Sequence, residues 1–409
     1  MTETHASDIP APTPLLRPVD GLPPVVTDPA ALARTAAAFA AGHGPIAVDA
    51  ERASGFRYSQ RAYLVQLRRE GAGTALIDPI PLRGDLSALA PALIGPEWVL
   101  HAASQDLPCL AEVGLAPTSV FDTELAGRLL GLPRVGLGPM VEQLLGLALE
   151  KGHGAADWSK RPLPEDWLIY AALDVEVLVA LRDVLAGMLA EQGKLEWARQ
   201  EFEAVRTAPP PGPRAEPWRR TSGVHRVRKP RALAAVRALW EARDRLAAER
   251  DIAPGRVLPD AAIIDAATAA PASAADLAEL AVFRGRAQRR LTAYWFSALA
   301  LAAGLDLADL PRSSAPTDGP PPVSRWADRD PPAAARLAAA RAALAAVSEE
   351  RTVPVENLLQ PDLLRRLCWS PPADGDIAAA LRKGGAREWQ VELLTPLLEP
   401  ALTQGESST

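Results

Sequence analysis

Cysteine is nearly absent from this sequence: Cys109 and Cys368 are the two cysteines in 409 residues. Two cysteines so far apart along the chain exclude a disulfide framework and a cysteine-rich zinc site. Any metal ion must therefore bind to oxygen atoms or histidines. Lysine is also scarce, since only five of the 44 basic residues are lysines. We attribute this arginine bias mainly to genomic composition, although arginine also suits phosphate binding.

Long apolar runs are absent too, because no stretch approaches the roughly 20 residues that a membrane-spanning helix needs. Residues 1–14 have neither a basic start nor the apolar core of a signal peptide, so we expect a cytoplasmic protein. Hydrophobic residues make up 48% and charged residues 23% of the chain, which excludes wholesale disorder. The net charge of −6 does not favour nucleic-acid binding, but a local basic patch can still bind a polyanion.

The first half of the chain has the pattern of an α/β domain. Residues 1–24 are rich in proline and threonine, and we expect them to form a mobile tail. From residue 25 to about residue 122, short apolar strands alternate with helices, and the first three strands are expected to form an antiparallel meander. Residues 123–206 have mostly helical periodicity.

The second half of the chain is predicted to be helical throughout. A proline-rich stretch at residues 209–213 precedes it, and a second proline-rich break spans residues 311–332. The segment at residues 246–260 resembles the segment at residues 344–362, with an offset close to 100 residues. This similarity predicts tandem copies of one small helical bundle.

A pair of carboxylates is the first candidate for chemistry. Asp49 and Glu51 are two residues apart on a predicted buried strand, so both side chains project from the same face. Two carboxylates there repel each other unless cations neutralise them, and a divalent metal ion is the natural partner. Such pairs are also common at exposed strand ends, so this motif alone does not establish a metal site.

Two further acidic positions follow along the chain. Asp106 occupies the predicted start of a helix, where an N-cap role would explain it without a metal. Tyr170 and Asp174 are four residues apart in an apolar helix, so they share one face. Burying the Asp174 carboxylate without a partner is costly, and this indicates a functional role.

Taken in order, these three motifs resemble those of the DEDD exonuclease superfamily, in the branch that has a tyrosine in its third motif. The segments around them resemble the ribonuclease D family, at residues 65–67, 101–107, 121–123, 157–163 and 170–175. The resemblance extends over about residues 25–205. The two helical units resemble the HRDC domain, and the second unit is the more divergent of the two.

This resemblance implies a ribonuclease H-like α/β exonuclease domain with a mixed sheet, followed by two all-α HRDC-like bundles. The expected organisation is a disordered tail at 1–24, an exonuclease domain at 25–206, a proline-rich and basic linker at 207–227, an HRDC domain at 228–306, a proline-rich linker at 307–332 and a second HRDC-like domain at 333–402.

The resemblance also implies an activity: a 3′-to-5′ exoribonuclease that releases nucleoside 5′-monophosphates from single-stranded RNA 3′ ends, such as those of tRNA precursors. The implied cofactors are two divalent cations, Mg²⁺ or Mn²⁺. Asp49, Glu51 and Asp174 would hold the ion that activates water. Asp49 and Asp106 would hold the ion near the leaving 3′ oxygen, and Tyr170 would orient the water. We expect the protein to be a monomer.

The substrate is the open part of this prediction. Arg52 follows Glu51 where the family often has an aromatic or other apolar residue near the terminal nucleotide, so the resemblance does not fix substrate preference. A DNA 3′ exonuclease uses the same carboxylates, and HRDC domains also occur on helicases that handle DNA. A catalytically silent RNA-binding scaffold is the other alternative. The presence of all four acidic residues and Tyr170 argues against it.

The densest basic run lies between the first linker and the first bundle. It contains six candidate nucleic-acid-binding residues: Arg219, Arg220, Arg226, Arg228, Lys229 and Arg231. A solvated flexible arm and a phosphate-binding segment explain this run equally well.

Other conspicuous side chains have simpler interpretations. Tyr294 and Trp295 follow an arginine cluster and could stack a base, but their helical spacing also fits a core position. For His101 we expect a local hydrogen bond, for Trp158 core packing and for Arg161 a salt bridge.

Overall fold

The computed structural model describes residues 11–150, 152–210, 212–314 and 319–403. The strands in these ranges are β1 (Thr13–Leu15), β2 (Val25–Val26), β3 (His43–Arg52), β4 (Ala62–Glu70), β5 (Gly73–Ile77), β6 (Trp98–Leu100), β7 (Val120–Asp122) and β8 (Leu147–Leu149). The α-helices of the first domain are α1 (Pro29–Ala41), α2 (Ala90–Leu93), α3 (Leu107–Glu112), α4 (Thr123–Leu129), α5 (Leu137–Leu145), α6 (Glu165–Glu176), α7 (Leu178–Glu191) and α8 (Leu195–Arg206).

The remainder of the described chain is helical, as predicted. The first bundle contains α9 (Pro230–Arg250), α10 (Pro254–Val257), α11 (Asp260–Ala269), α12 (Ala274–Ala278), α13 (Arg286–Arg289) and α14 (Thr292–Ala303). The second contains α15 (Trp326–Arg329), α16 (Pro331–Arg351), α17 (Val355–Leu358), α18 (Pro361–Trp369), α19 (Ile377–Lys383) and α20 (Glu388–Thr403). No helix within the described ranges is long and apolar enough to cross a membrane.

A six-stranded mixed sheet forms the centre of the first domain, in the order β2-β5-β4-β3-β6-β7. β3, β4 and β5 pair antiparallel, which confirms the predicted meander. β6 is parallel to β3, and β7 is parallel to β6. Parallel strands end at the same edge of a sheet, so the carboxyl ends of β3, β6 and β7 lie together. The end of β3 carries Asp49 and Glu51, and the turn that carries Asp106 follows β6.

Helix α6 covers the face of the sheet formed by β3, β4 and β5. Its alanines Ala171 and Ala172 are buried against Leu64 and Leu76 of the strands. Because alanine side chains are small, the helix approaches the sheet closely. The next turn of α6 thereby brings Asp174 to the carboxyl end of β3.

The segment before residue 25 differs from the expected tail. Residues 1–10 lie outside the described residues, but Thr13–Leu15 forms β1, which pairs parallel with Leu147–Leu149 of β8. The prediction of a mobile tail over residues 1–24 is therefore wrong for β1. A three-residue strand has too little local pattern to be recognised, and its hydrogen-bonding partner lies more than a hundred residues away.

Three successive helices of the two bundles repeat with a constant offset. Their long helices, α9 and α16, begin at Pro230 and Pro331, and both are 21 residues long. The helices that follow begin at Pro254 and Val355, then at Asp260 and Pro361, again 101 residues apart. The structure thus agrees with the prediction of tandem copies.

The first bundle begins earlier than the expected boundary at residue 228. Residues Pro217–Arg220 and Val224–Arg226 form short 3₁₀ helices. Trp218 and Val227 are buried in the core of this bundle together with Leu233. Burying the large apolar surface of a tryptophan offsets the cost of ordering the arginines beside it. The basic run is therefore folded onto the bundle and is not a free arm.

The second bundle shares a hydrophobic core with the exonuclease domain, since one buried cluster contains residues of the sheet, of α7 and α8, and of α16 to α20. Trp389 stacks on Trp197 with ring centroids 4.6 Å apart. Its indole N–H donates to Glu201 over 3.0 Å. The buried Lys194 ammonium donates to the carbonyls of Leu129 and Arg351, which end α4 and α16. Negative helix C-termini favour a cation there.

The first bundle contacts a different part of the domain, the loop between β3 and β4. The Asp251 carboxylate accepts a hydrogen bond from the Ser59 backbone N–H over 2.8 Å. Arg256 donates to the Gly55 carbonyl over 2.7 Å, and its guanidinium lies 4.0 Å from the centre of the Phe56 ring. These contacts are mostly polar, in contrast with the shared core of the second bundle.

Gly131 provides a test of the second interface. Its φ is +70°, and a Cβ atom there would lie 2.4 Å from the Thr352 carbonyl oxygen. We expect Gly131→Ala to lower the free energy of unfolding by about 1–3 kcal/mol, because the side chain strains the turn and pushes the bundle away. Denaturant unfolding measures this.

Gly187→Ala is the matched control. Gly187 lies inside α7, and its φ is not positive. Outside the local helix backbone, no atom lies within 4 Å of the position that a Cβ atom would occupy there. This substitution should raise stability by about 0.5–1 kcal/mol, as alanine does in helix interiors. Equal effects at both positions would contradict the tight contact at Gly131.

Candidate active site

Five predicted residues line one cleft of about 570 Å³ at the carboxyl edge of the sheet: Asp49, Glu51, Asp106, Tyr170 and Asp174. Their elements are far apart in sequence, since β3, the turn before α3 and helix α6 supply them. The opposite wall comes from the start of α5 and from β8. The fold therefore brings together the residues that the sequence singled out.

Three carboxylates form the centre of this cleft. One oxygen each of Asp49, Glu51 and Asp174 lie within 4.8 Å of one another. Glu51 is buried, and the other two are partly buried. Such a set of hard oxygen donors fits a divalent cation of the Mg²⁺ type. These three residues would hold it.

The cost of bringing these carboxylates together appears in their pKa values. Burial, followed by repulsion from Asp49 and Asp174, raises the pKa of Glu51 to about 10. Burial is also the largest cause that raises the pKa of Asp49 and, well above its usual range, that of Asp174. The charged forms are therefore disfavoured until positive charge is supplied. A divalent cation supplies that charge.

Asp106 lies beside this group of three, on the turn that precedes α3. Its side chain does not cap the helix, so the simple N-cap explanation fails. Burial and the nearby Asp49 raise its pKa to about 8. The nearest positive charge is the Arg52 guanidinium, with a nitrogen 3.6 Å from Asp106 Oδ1.

Asp122 at the end of β7 shapes the turn that carries Asp106. Its carboxylate accepts hydrogen bonds from the backbone N–H groups of Ala102 and Ala103, over 3.1 and 2.8 Å. Ala102 has a φ of +60°, which is costly for a residue with a Cβ atom. The buried Asp122 thus stabilises a strained turn at the edge of the cleft.

Tyr170 lies one turn before Asp174 on α6, and its hydroxyl lies near the Asp174 carboxylate. Burial and the three carboxylates raise the pKa of this phenol. It therefore keeps its proton and can hold or orient a water molecule, but it cannot act as a base. The ring of His153 packs edge-on against it at 5.7 Å.

The residues expected to be structural have structural contacts. His101 Nδ1 lies 2.9 Å from Thr123 Oγ1, and burial lowers the pKa of His101 to about 4, so it is neutral near pH 7. Trp158 is fully buried. Arg161 forms an ion pair with Asp78 through two nitrogens.

The aromatic residues beside the second arginine cluster also belong to the bundle. Trp295 is fully buried, and its indole N–H donates to Gln288 over 2.9 Å. The Tyr294 hydroxyl donates to the Ala242 carbonyl over 2.7 Å. The core interpretation is therefore the one that the structure favours for this pair.

The six basic candidates divide into two groups. Arg219 pairs with Glu216 over 2.7 Å and stacks on Trp218, while Arg231 donates to three carbonyls at the end of α14. The other four side chains are exposed and make no hydrogen bond or ion pair with the described residues: Arg220, Arg226, Arg228 and Lys229. The first group supports the fold, and the second is available to a polyanion.

Gln66 is a neighbour of the site that sequence reasoning did not assign to it. It lies directly opposite Asp49 in the β3–β4 pair, so both side chains are on the same face. Gln66 is fully buried, and neither atom of its amide has a hydrogen-bonding partner among the described residues. The signal in the sequence would have been a glutamine inside the otherwise apolar run at residues 62–67.

Comparison with protein families agrees with this architecture. Residues 24–190 match a family model described as 3′-5′ exonuclease, residues 232–299 match the HRDC domain, and residues 319–402 match a model described as 3′ to 5′ exonuclease C-terminal domain. The second bundle thus matches a family model separate from that of the first.

Individual proteins are similar over most of the chain. A ribonuclease D from Gluconacetobacter diazotrophicus is 30% identical over 83% of this chain and 88% of its own. The crystal structure of a protein from Bifidobacterium adolescentis is 38% identical, with a TM-score of 0.89 over 96% of this chain and 99% of its own. The Escherichia coli RNase D structure, described as an exoribonuclease involved in structured RNA processing, is 26% identical with a TM-score of 0.66, over 93% of this chain and 98% of its own.

The raised pKa values predict how stability depends on pH. Without metal, the folded state keeps protons on Glu51 and Asp106 that the unfolded chain has released, so the free energy of unfolding should fall as the pH rises from about 5 to about 8. Added Mg²⁺ should raise Tm more at about pH 8 than at about pH 6. Thermal unfolding with EDTA or magnesium chloride measures both effects.

Glu51→Gln is the control for this dependence. The glutamine has no proton to lose, so the metal-free variant should show a flatter decline of stability with pH. A slope as steep as that of the unaltered protein would show that other groups cause the dependence.

Proposed function

The chain belongs to the ribonuclease D family of 3′-5′ exoribonucleases, and from this premise we propose that its acidic cleft hydrolyses the last phosphodiester bond of RNA 3′ ends. The observation that supports this most directly is the convergence of all five predicted residues on one cleft. Each cycle would release one nucleoside 5′-monophosphate and leave a new 3′ hydroxyl.

The proposed chemistry is an in-line displacement. The oxygen of a water molecule attacks phosphorus, the bond from phosphorus to the 3′ oxygen breaks, and one proton of the water ends on that 3′ oxygen. Two bound divalent cations, Mg²⁺ or Mn²⁺, would stabilise the attacking and leaving oxygens. Asp49, Glu51 and Asp174 would hold one, and Asp49 with Asp106 the other.

In this proposal Tyr170 positions the attacking water. Its hydroxyl lies near Asp174 and keeps its proton, so it can donate a hydrogen bond to the water while the carboxylates accept others. Positioning of this kind lowers the barrier by holding the reacting atoms in line.

The natural substrate is the finer part of the proposal. We place single-stranded 3′ ends of stable RNAs, such as tRNA precursors, first because of the family, and we expect a monomer. A cytoplasmic location stays a prediction. Incubation with 3′-labelled and 5′-labelled RNA and matched DNA, in Mg²⁺, Mn²⁺ or EDTA, tests this. Degradation of DNA alone would favour the alternative of a DNA exonuclease.

Three substitutions separate the proposed roles of the site residues. Asp174→Asn should abolish turnover and weaken binding of Mg²⁺, because one ligand loses its charge; Asp49→Asn should do the same. Tyr170→Phe should lower the rate roughly a hundredfold yet leave Mg²⁺ affinity unchanged, since only the hydroxyl is removed. Calorimetry and RNA degradation assays measure these. Full activity of Tyr170→Phe would show that Tyr170 serves packing only.

The four exposed basic residues test RNA capture by the first bundle. Replacing Arg220, Arg226, Arg228 and Lys229 with glutamine should weaken RNA binding and reduce its dependence on salt. The expected change in the log–log slope is about 0.7–0.9 for each phosphate contact that is lost, with the lower value for single-stranded segments. Binding of a structured RNA by Asp174→Asn protein across a salt series measures it.

The control removes the same charge elsewhere. It replaces four other exposed basic residues, Arg34, Arg250, Arg329 and Lys383. Equal changes in both variants would mean that total charge, not the basic run, governs RNA binding. A chain ending at residue 206 is unsuitable for this question, since it would uncover the apolar surface of α8 on which the second bundle packs.

A further inference from the structure

Arg52 is the single arginine or lysine among the described residues that line the acidic cleft. It follows Glu51 at the end of β3, where the register with β4 shifts between these two residues. Its side chain is 26% exposed, and one guanidinium nitrogen lies 3.6 Å from Asp106 Oδ1. One positive charge is thus held in the wall of a cleft that is otherwise acidic.

The hydrogen-bonding capacity of this guanidinium is almost unused. Arg161 shows the opposite case, since it donates to both oxygens of Asp78 and to the carbonyls of Tyr63 and Trp158. Arg52 donates no hydrogen bond to any residue in the described ranges, and its contact with Asp106 exceeds hydrogen-bonding distance. A guanidinium has five N–H donors, so those of Arg52 remain available to an anion.

Space for such an anion lies on both sides of Arg52. Besides the cleft, Arg52 and Glu51 line a neighbouring cavity of about 280 Å³. The other walls of this cavity are small residues, among them Ser54, Gly55 and Gly154. An anionic group beside the guanidinium therefore has room for the atoms attached to it.

We propose that Arg52 binds the phosphate of the 3′-terminal nucleotide, first as the phosphodiester to be cleaved and then as the 5′-phosphate of the released nucleotide. This inference rests on the proposed function and names a contact that positions its substrate. In the metal-free protein the Arg52 guanidinium lies beside Asp106. When bound cations compensate the carboxylates, the guanidinium donors turn to the phosphate. The fork of a guanidinium matches two phosphate oxygens.

This role predicts that the charge of Arg52 weakens the binding of cations and strengthens the binding of nucleotides. Its charge lies near Asp106 and so competes with a cation for that carboxylate. Arg52→Gln should therefore bind Mg²⁺ more tightly, by about threefold or more, while its affinity for adenosine 5′-monophosphate falls by roughly tenfold or more. A side chain that only supported the fold would weaken both. The 5′-monophosphate carries more charge than a diester, which makes it the more sensitive probe.

Titration calorimetry measures both affinities without turnover. Mg²⁺ is titrated alone, and adenosine 5′-monophosphate is titrated in the presence of Ca²⁺, with adenosine as the phosphate-free control. Arg52→Lys keeps the charge but not the fork, so its Mg²⁺ affinity should match that of the unaltered protein and its nucleotide affinity should be intermediate. Thermal unfolding establishes that both variants are folded.

The outcomes separate this inference from the proposed function. Unchanged affinity of Arg52→Gln for adenosine 5′-monophosphate, an equal loss for adenosine, or a parallel loss of Mg²⁺ affinity would overturn the role of Arg52. Failure of the unaltered protein to degrade RNA, with the expected binding differences intact, would instead overturn the exoribonuclease proposal and leave the phosphate contact standing.

Discussion

Repulsion among buried carboxylates is the constraint on which the catalytic half of this protein depends. Asp49 and Glu51 lie two residues apart on one face of a central strand, and Asp174 approaches from a helix, so the three carboxylates converge in one partly buried site. Nothing local favours that arrangement. It is maintained because apolar packing of Ala171 and Ala172 against the sheet fixes the helix at this distance. Favourable packing of the fold thereby offsets the repulsion among the carboxylates, and bound positive charge relieves that repulsion.

The sequence predicts this half well where the signal is local. Helix α1 has such a signal, because Asp28 caps its start at Pro29 and Gly42 follows its end at Ala41. The acidic positions follow from alternation on a strand and from i, i+4 spacing on a helix. Local spacing does not predict the pairing of β1 with β8 or the approach of Arg52 to Asp106. Both depend on segments that only the tertiary fold brings together.

The two bundles differ in how they attach, although they repeat one helical plan. The second joins a common apolar core through Trp389 and α8, so it and the exonuclease domain should unfold together. The first touches the β3–β4 loop mainly through polar groups of Asp251 and Arg256. Sequence similarity between the copies does not reveal this difference, because each attachment depends on contacts with other segments of the chain.

One corner of the repeated plan, however, is retained in both copies. Asp251 and Thr352 occupy the same left-handed position after the long helix, with φ of 47° and 53°. In the first copy this corner meets Ser59 through its carboxylate, and in the second it meets Gly131 through its backbone. The corner thus has the same backbone conformation in both copies. The group that it presents, a carboxylate in one copy and a backbone carbonyl in the other, determines which surface it contacts. Duplication of such a unit supplies a second attachment to the same enzyme without the need for a new fold.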